Sequence, residues 1–255
     1  MIKLAIPGDI KVQRIVKRLG MGYHLAEPIT LFHNKVLQLM YERFARDGHF
    51  IIMDNGAAEV SIVEGGKVKH LGEPPAFEQV VSLAKRIGAD EIILPDRKHD
   101  VEWTAKHTID CAELVSPVMR AICPQGVDES GWYECFDFLE DKIKFHTICV
   151  AKIYDRLAIL QWLENQDVPE RYHVHLLGLG TDTNPDLEFE VIQIAKRFPW
   201  VRGIDTAAPI AFAQHDVHVD NYRVHFSYQW GGKFNSVTAI DNIFMIQEWI
   251  KECTY

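Results

Sequence analysis

Residues 76–96 read AFEQVVSLAKRIGADEIILPD, and this stretch decides the fold. Phe77, Val80, Val81, Ala84 and Ile87 recur at helical spacing, so AFEQVVSLAKRIGAD is an amphipathic helix. Gly88 stands where a helix C-cap glycine belongs. EIILPD then reads as a continuous apolar strand with a carboxylate, Asp96, at its end. A strand that does not alternate is one buried on both faces of a parallel sheet. Helix, glycine, buried strand is the repeating half of a βα unit.

The same kind of run appears in KLAIP, FIIMD, VMRAICPQG, HTICVAK, HVHLLGLG, VRGIDTAAP and RVHFSY. RLAILQWLENQ and DLEFEVIQIAKRF repeat the helical period between them, and DIKVQRIVKRLG is a basic amphipathic helix that Gly20 is expected to end. The segment from Gly20 to about Leu31 is a loop with room for one more short strand. From residue 50 onward the strand starts are roughly 25 to 40 residues apart, the length of a βα unit. The count comes to about six to eight strands, and a complement of eight predicts a (β/α)8 barrel. No linker, low-complexity tract or repeat divides the chain, so residues 1–255 are expected to form a single barrel domain. After about residue 205 the pattern loosens into a loop-rich segment before a last helix in IDNIFMIQEWIKE.

The formal net charge of −9 argues against nucleic-acid binding by bulk electrostatics and leaves room for local basic faces. Lys3, Lys11, Arg14, Lys17 and Arg18 crowd the N-terminal end; Arg97-Lys98, Lys196-Arg197, Arg202 and Arg223 are further candidates, each also readable as solvated surface charge. The five cysteines form no CxxC pair, so neither a disulfide framework nor a four-cysteine zinc site is expected. MIKLAIPGDIKVQ lacks the apolar core of a signal peptide, and no apolar run is long enough for a bilayer. A cytoplasmic protein without a membrane segment is the expectation.

Barrels of this class work at the C-terminal ends of their strands. Those ends supply Asp54 with Asn55 and Gly56, Asp96, Gln125 with Gly126, Lys152, Gly178 with Gly180, and Asp205. Each has a plain structural reading: Asp54-Asn55-Gly56 as a turn, Asp96 as a helix N-cap, Gln125-Gly126 as a loop, Asp205 as the cap of the turn after it. Three strand-end carboxylates also fit chemistry at an anomeric carbon. One acid attacks or shields the oxocarbenium-like centre and another handles the leaving group's proton. A third can accept the adjacent N–H donors of a purine edge. Alanines at positions 57, 58, 207 and 208 leave space for a flat ring.

At these positions the chain resembles the tRNA-guanine transglycosylase superfamily. MDNGAAE is similar to that family's Asp-Ser-Gly-Gly-Phe block, ILPD to its base-reading aspartate strand, and ICPQG to its Gln-Gly turn. LLGLG is similar to its glycine turn, and GIDTAAP to the strand that carries the nucleophile. Order and approximate spacing agree from about residue 50 to 210. The departures are Ala57 and Ala58 in the first block, Cys149-Val150 where the family has a Gly-Gly floor, and no Cys-x-Cys-x-x-Cys zinc subdomain after Asp205.

The profile resembles the compact phage-type members that exchange guanine for a 7-deazaguanine in DNA. If the chain is phage-encoded, it belongs in the host cytoplasm. The resemblance implies a TIM barrel in which Asp205 is the nucleophile and Asp54 the general acid/base. Asn55, Gly56, Asp96, Gln125, Gly126, Gly178 and Gly180 would contact the base. Lys152 would meet a phosphate or an exocyclic group. The partners would be DNA, with tRNA as the alternative, and a 7-deazaguanine base such as preQ0; no cofactor is required. Zinc could only fall to His215, His218 and His225, whose spacing on a loop reads better as scattered surface histidines. Two other readings stand beside this one. The first is a non-catalytic nucleic-acid- or base-binding subunit of a transglycosylase pair. The second is a metal-dependent barrel hydrolase using Asp54, Asp96 and histidines. A homodimer and a partner subunit are both compatible with the sequence.

Overall fold

In the computed structural model, residues 1–57, 60–64, 67–70, 72–178, 187–220 and 232–253 are described. In chain order they form β1 (Lys3–Ala5), α1 (Ile10–Arg18), β2 (Tyr23–Ala26), α2 (Pro28–Phe32) and α3 (Lys35–Arg46). These are followed by β3 (Phe50–Met53), β4 (Ser61–Glu64), β5 (Lys67–His70), α4 (Phe77–Ile87), β6 (Glu91–Ile93) and α5 (Val101–Ala112). Next come β7 (Arg120–Ile122), α6 (Glu129–Lys142), β8 (Thr147–Ala151), α7 (Arg156–Asn165) and β9 (His173–Leu177). The chain ends with α8 (Leu187–Arg197), β10 (Gly203–Asp205), α9 (Ala208–Ala213) and α10 (Ser236–Glu252).

Eight strands form one sheet in the order β1-β10-β9-β8-β7-β6-β3-β2, and β4 and β5 make a separate antiparallel hairpin. The β1–β10, β10–β9, β3–β6, β6–β7 and β7–β8 pairings are parallel. Along the sheet β2, β3, β6, β7, β8, β9 and β10 follow one another in chain order, and β1, the first strand, pairs with β10, the last. An open doubly wound sheet reverses its strand order at a switch point and leaves its edges apart. The observed order is that of a (β/α)8 barrel. No helix of the described residues is long and apolar enough to cross a membrane.

By its contacts the chain divides into two compact units, Met1–His24 with Val150–Tyr255, and Leu25–Cys149. In the Leu25–Cys149 unit, β3 buries Ile51, Ile52 and Met53 and β6 buries Ile92 and Ile93, as continuous apolar runs require. Helix α4 buries Phe77, Val80, Val81, Leu83, Ala84 and Ile87. Asp90 Oδ2 accepts from Ile51 N at 2.8 Å, tying the end of the α4 turn to the start of β3. Gly88 ends α4 in the left-handed region, at φ 71°. A Cβ on Gly88 would lie 2.8 Å from Ala45 Cβ. Backbone strain and this contact act together, so Gly88→Ala is expected to lower unfolding free energy by about 1–2 kcal/mol in urea titration. An unchanged midpoint would contradict that.

In the other unit, α1 buries Val12, Ile15 and Val16 and is capped by Asp9, whose Oδ1 accepts from Lys11 N and Val12 N. Strand β9 buries Val174 and Leu176 and β10 buries Ile204. Seven of the eight expected strand runs coincide with β1, β3, β6, β7, β8, β9 and β10; RVHFSY lies outside the described residues. The segment after Gly20 does contain a strand, β2, and α2, α3, α5, α6, α9 and the β4–β5 hairpin are additions to the sequence reading.

Candidate functional site

Two clusters of polar side chains stand at strand ends, one in each unit. In Leu25–Cys149 the cluster begins where β3 stops. Asp54 Oδ1 accepts from Asn55 N at 2.7 Å, and Asn55 Oδ1 accepts from Ala57 N at 2.8 Å, an Asx-turn around Gly56 at φ 85°. The turn reading of this block is therefore correct, and it also aims Asn55. The Asn55 Nδ2 group donates to Leu94 O at 2.8 Å and to Asp96 Oδ1 at 2.6 Å. From the end of β7, Gln125 Nε2 donates to Asp96 Oδ2 at 2.6 Å. One buried carboxylate is thus held by two amides from neighbouring strand ends. Asp96 is not a helix cap; Asp100 caps α5 by accepting from Trp103 N at 2.9 Å. Gly126 has a steric reason to be glycine, since a Cβ there would lie 2.4 Å from Gly131 C and Trp132 N in the first turn of α6.

Burial pushes the Asp96 carboxyl up to about 6 from 3.8, against the lowering effects of the Asn55 and Gln125 hydrogen bonds and the Lys98 charge. Between those two values the folded protein holds a proton that the unfolded chain has released. Stability must therefore fall as pH rises from about 4 to about 6, by about 3 kcal/mol for this group, and stay level above. Comparing urea unfolding of the wild type and Asp96→Asn at pH 4 and pH 7 measures it. The wild type should lose stability relative to the variant over that interval, and parallel behaviour would contradict the assignment.

Beside Asn55 and Asp96 lies a cavity of about 320 Å³, also lined by Phe77, Trp103, His107 and Cys111. The Trp103 and His107 rings stack at 3.8 Å with 13° between planes, and the Arg97 guanidinium sits 4.4 Å from the Trp103 ring centre. A second cavity of about 390 Å³, lined by Phe32, Gln38, Glu78 and Arg86 among others, contains none of the strand-end acids.

In the other unit, Asp205 closes β10 and is buried. His175 Nε2 lies 3.1 Å from Asp205 Oδ1, and Gly178 N donates to Asp205 Oδ2 at 3.1 Å. The Tyr23 hydroxyl lies 3.0 Å from His175 Nδ1. The register pairs His175 with Gly203, so His175, Gly203 and Asp205 share a face. Gly203 makes the arrangement possible, because a Cβ there would lie 2.5 Å from the Tyr23 ring. Arg156, in a buried ion pair with Glu190, donates to Leu177 O at 3.2 Å and Gly178 O at 2.9 Å. This pins the turn, at φ 65° for Gly178, from which Gly178 N reaches Asp205. The small residues of GIDTAAP have their own explanation: Thr206 Oγ1 accepts from Ala208 N at 3.0 Å and starts α9.

The structure thus brings Asp54, Asn55, Gly56, Asp96, Gln125 and Gly126 to adjoining strand ends of one unit, and Asp205 and Gly178 together in the other. Lys152 follows β8 with an exposed head; its Cδ would lie 3.1 Å from a Cβ on Gly178. Gly180, His225 and Arg223 lie outside the described residues, and His215 and His218 follow α9. Among the described residues no group of three or more His, Cys, Asp or Glu is placed to hold a metal ion. Sequence reading missed His175, Tyr23, Arg156 and Glu190. The signal for His175 was a histidine between Val174 and Leu176 in an apolar strand, which has to find a polar partner. No protein-family model matches the chain, and no curated protein matches it.

Proposed function

We propose that the protein is a base-exchange transglycosylase that replaces guanine in nucleic acid by a 7-deazaguanine, with DNA the first substrate to test and tRNA the second. The observation that carries the reading is the buried Asp96 carboxylate between the Asn55 and Gln125 amides. An ionised carboxylate offers about four lone-pair positions. Two are engaged by the amides, and two remain for adjacent N–H donors such as N1–H and the 2-amino group of guanine. Support also comes from where the acids stand. Asp54 and Asp205 each sit at the C-terminal end of a parallel strand, the end at which (β/α)8 barrels carry their activity.

In this reading the target nucleotide leaves its stack, at a cost of a few kcal/mol. An Asp205 oxygen forms a bond to C1′ as the C1′–N9 bond breaks, and the electron pair leaves with guanine. Asp54, in its acid form, gives the departing base a proton. The incoming 7-deazaguanine returns a proton to Asp54 as its ring nitrogen attacks C1′, and Asp205 leaves as a carboxylate. Net, one base replaces another with no change in oxidation state, and the glycosidic energy is conserved in the covalent ester. The experiment is incubation with duplex DNA, single-stranded DNA or tRNA plus candidate 7-deazaguanines, read by nucleoside mass spectrometry. A 7-deazaguanine nucleoside in one of these polymers is expected, and its absence from all of them overturns the reading.

A further inference from the structure

Among the buried polar groups outside the roles above, the chain Tyr23–His175–Asp205 carries the most. It lies within one compact unit, at 3.0 Å and 3.1 Å, and its histidine is fully buried in a strand. An ionised carboxylate can only accept, so the proton between His175 and Asp205 belongs to Nε2. Two states of the ring then remain. A neutral imidazole has an unprotonated Nδ1 that accepts from the Tyr23 hydroxyl; an imidazolium would donate to that hydroxyl instead. The Tyr23 hydroxyl, 3.0 Å from Nδ1, is a donor placed for the first of them. With the neutral ring, every hydrogen of the chain points toward Asp205: tyrosine O–H to Nδ1, Nε2–H to Oδ1, and from the other side Gly178 N–H to Oδ2.

We propose that His175, locked as its Nε2–H tautomer by the Tyr23 hydroxyl, is the positioning residue of Asp205. It fixes the rotation of the carboxylate while leaving each oxygen lone-pair capacity for another bond. The role in catalysis rests on the transglycosylase reading; the tautomer does not. Gly203 belongs to the same device, since only a residue without a Cβ lets the Tyr23 ring reach across β10 to His175. A histidine retained merely to fill the core would show no dependence of its tautomer on Tyr23 or of the reaction on its N–H.

Two arms test this. In the first, the full-length protein is labelled with ¹⁵N-histidine and the His175 ring nitrogens are read by two-dimensional NMR at neutral pH, in the wild type and in Tyr23→Phe. The wild type should show a protonated Nε2 and an unprotonated, hydrogen-bonded Nδ1, and Tyr23→Phe should shift Nδ1 toward the free-acceptor position. A protonated Nδ1 in the wild type, or no response to Tyr23→Phe, overturns the proposal. In the second, base exchange is compared in His175→Leu and His175→Gln. Misplacing a reacting group by about 1 Å costs on the order of 100-fold. Leucine should therefore lower kcat about 100-fold with little change in KM for the nucleic acid. Glutamine, which carries both a donor and an acceptor at its tip, should recover most of it. Equal rates for the two folded variants overturn the positioning role. If the wild type exchanges no base, the transglycosylase reading fails while the NMR arm still decides the tautomer.

Discussion

Asp205→Ala is expected to fold like the parent and to lose guanine exchange by on the order of 10⁴-fold or more, the scale on which covalent catalysis disappears with its nucleophile. The carboxylate ends β10, where its backbone is already fixed by the β1 and β9 ladders, so truncation leaves the strand intact. What truncation does leave is a donor pair, His175 Nε2 and Gly178 N, aimed at an empty place. A loss of 1–3 kcal/mol of stability from those unsatisfied groups should accompany the loss of activity. Asp205→Asn is the closer comparison. It keeps the volume and one acceptor but cannot form a glycosyl ester that leaves again as a carboxylate, so it should be as inactive as the alanine variant. Exchange by either variant at a tenth of the parental rate would remove Asp205 from the nucleophile's role.

The second large effect belongs to Asp96. Asp96→Ala should lower kcat/KM for guanine exchange about 10³-fold, because two hydrogen bonds to a charged group are worth about 1.5–3 kcal/mol each. It should also erase discrimination. The parent, accepting from N1–H and the 2-amino group together, should strongly prefer guanine over hypoxanthine, which lacks the amino group. The variant should treat the two more nearly alike, since the acceptor that made the distinction is gone. The Asn55 and Gln125 amides lose their shared acceptor in the variant, so a melting measurement is needed beside the kinetics. An Asp96→Ala enzyme that folds, keeps its rate and keeps its preference for guanine would assign base reading elsewhere.

The barrel was legible because its determinants are local. β3 is apolar throughout, β6 and β8 are apolar after their first residues, Glu91 and Thr147, and α4, α7 and α8 carry their buried residues at helical spacing. The strand-end acids were legible for the same reason: each follows its apolar run directly. Helix α3 was not legible although Leu37, Tyr41 and Phe44 keep a helical spacing on its buried face, because the exposed apolar residues Val36 and Leu39 blur that period. β2 is four residues long and carries His24, which interrupts its apolar pattern. The partnerships that give the acids their environment could not be read. Tyr23 and His175 are 152 positions apart, Asn55 and Asp96 are 41 apart, and neither pairing leaves a periodic trace. The role of Gly203 was hidden likewise. A glycine at the start of a strand is unremarkable until a tyrosine from another strand is seen to occupy its missing side chain.

A covalent link between Asp205 and a nucleotide sugar can be sought directly. The wild-type protein is mixed with a guanine-containing oligonucleotide, quenched in acid within the first turnovers, digested, and the peptides are weighed. The account predicts a peptide spanning Asp205 that carries the oligonucleotide minus one guanine, in the wild type and not in Asp205→Ala, and its disappearance when excess guanine is added before the quench. Guanine released with no modified peptide, or the modification found on a peptide without Asp205, would contradict it.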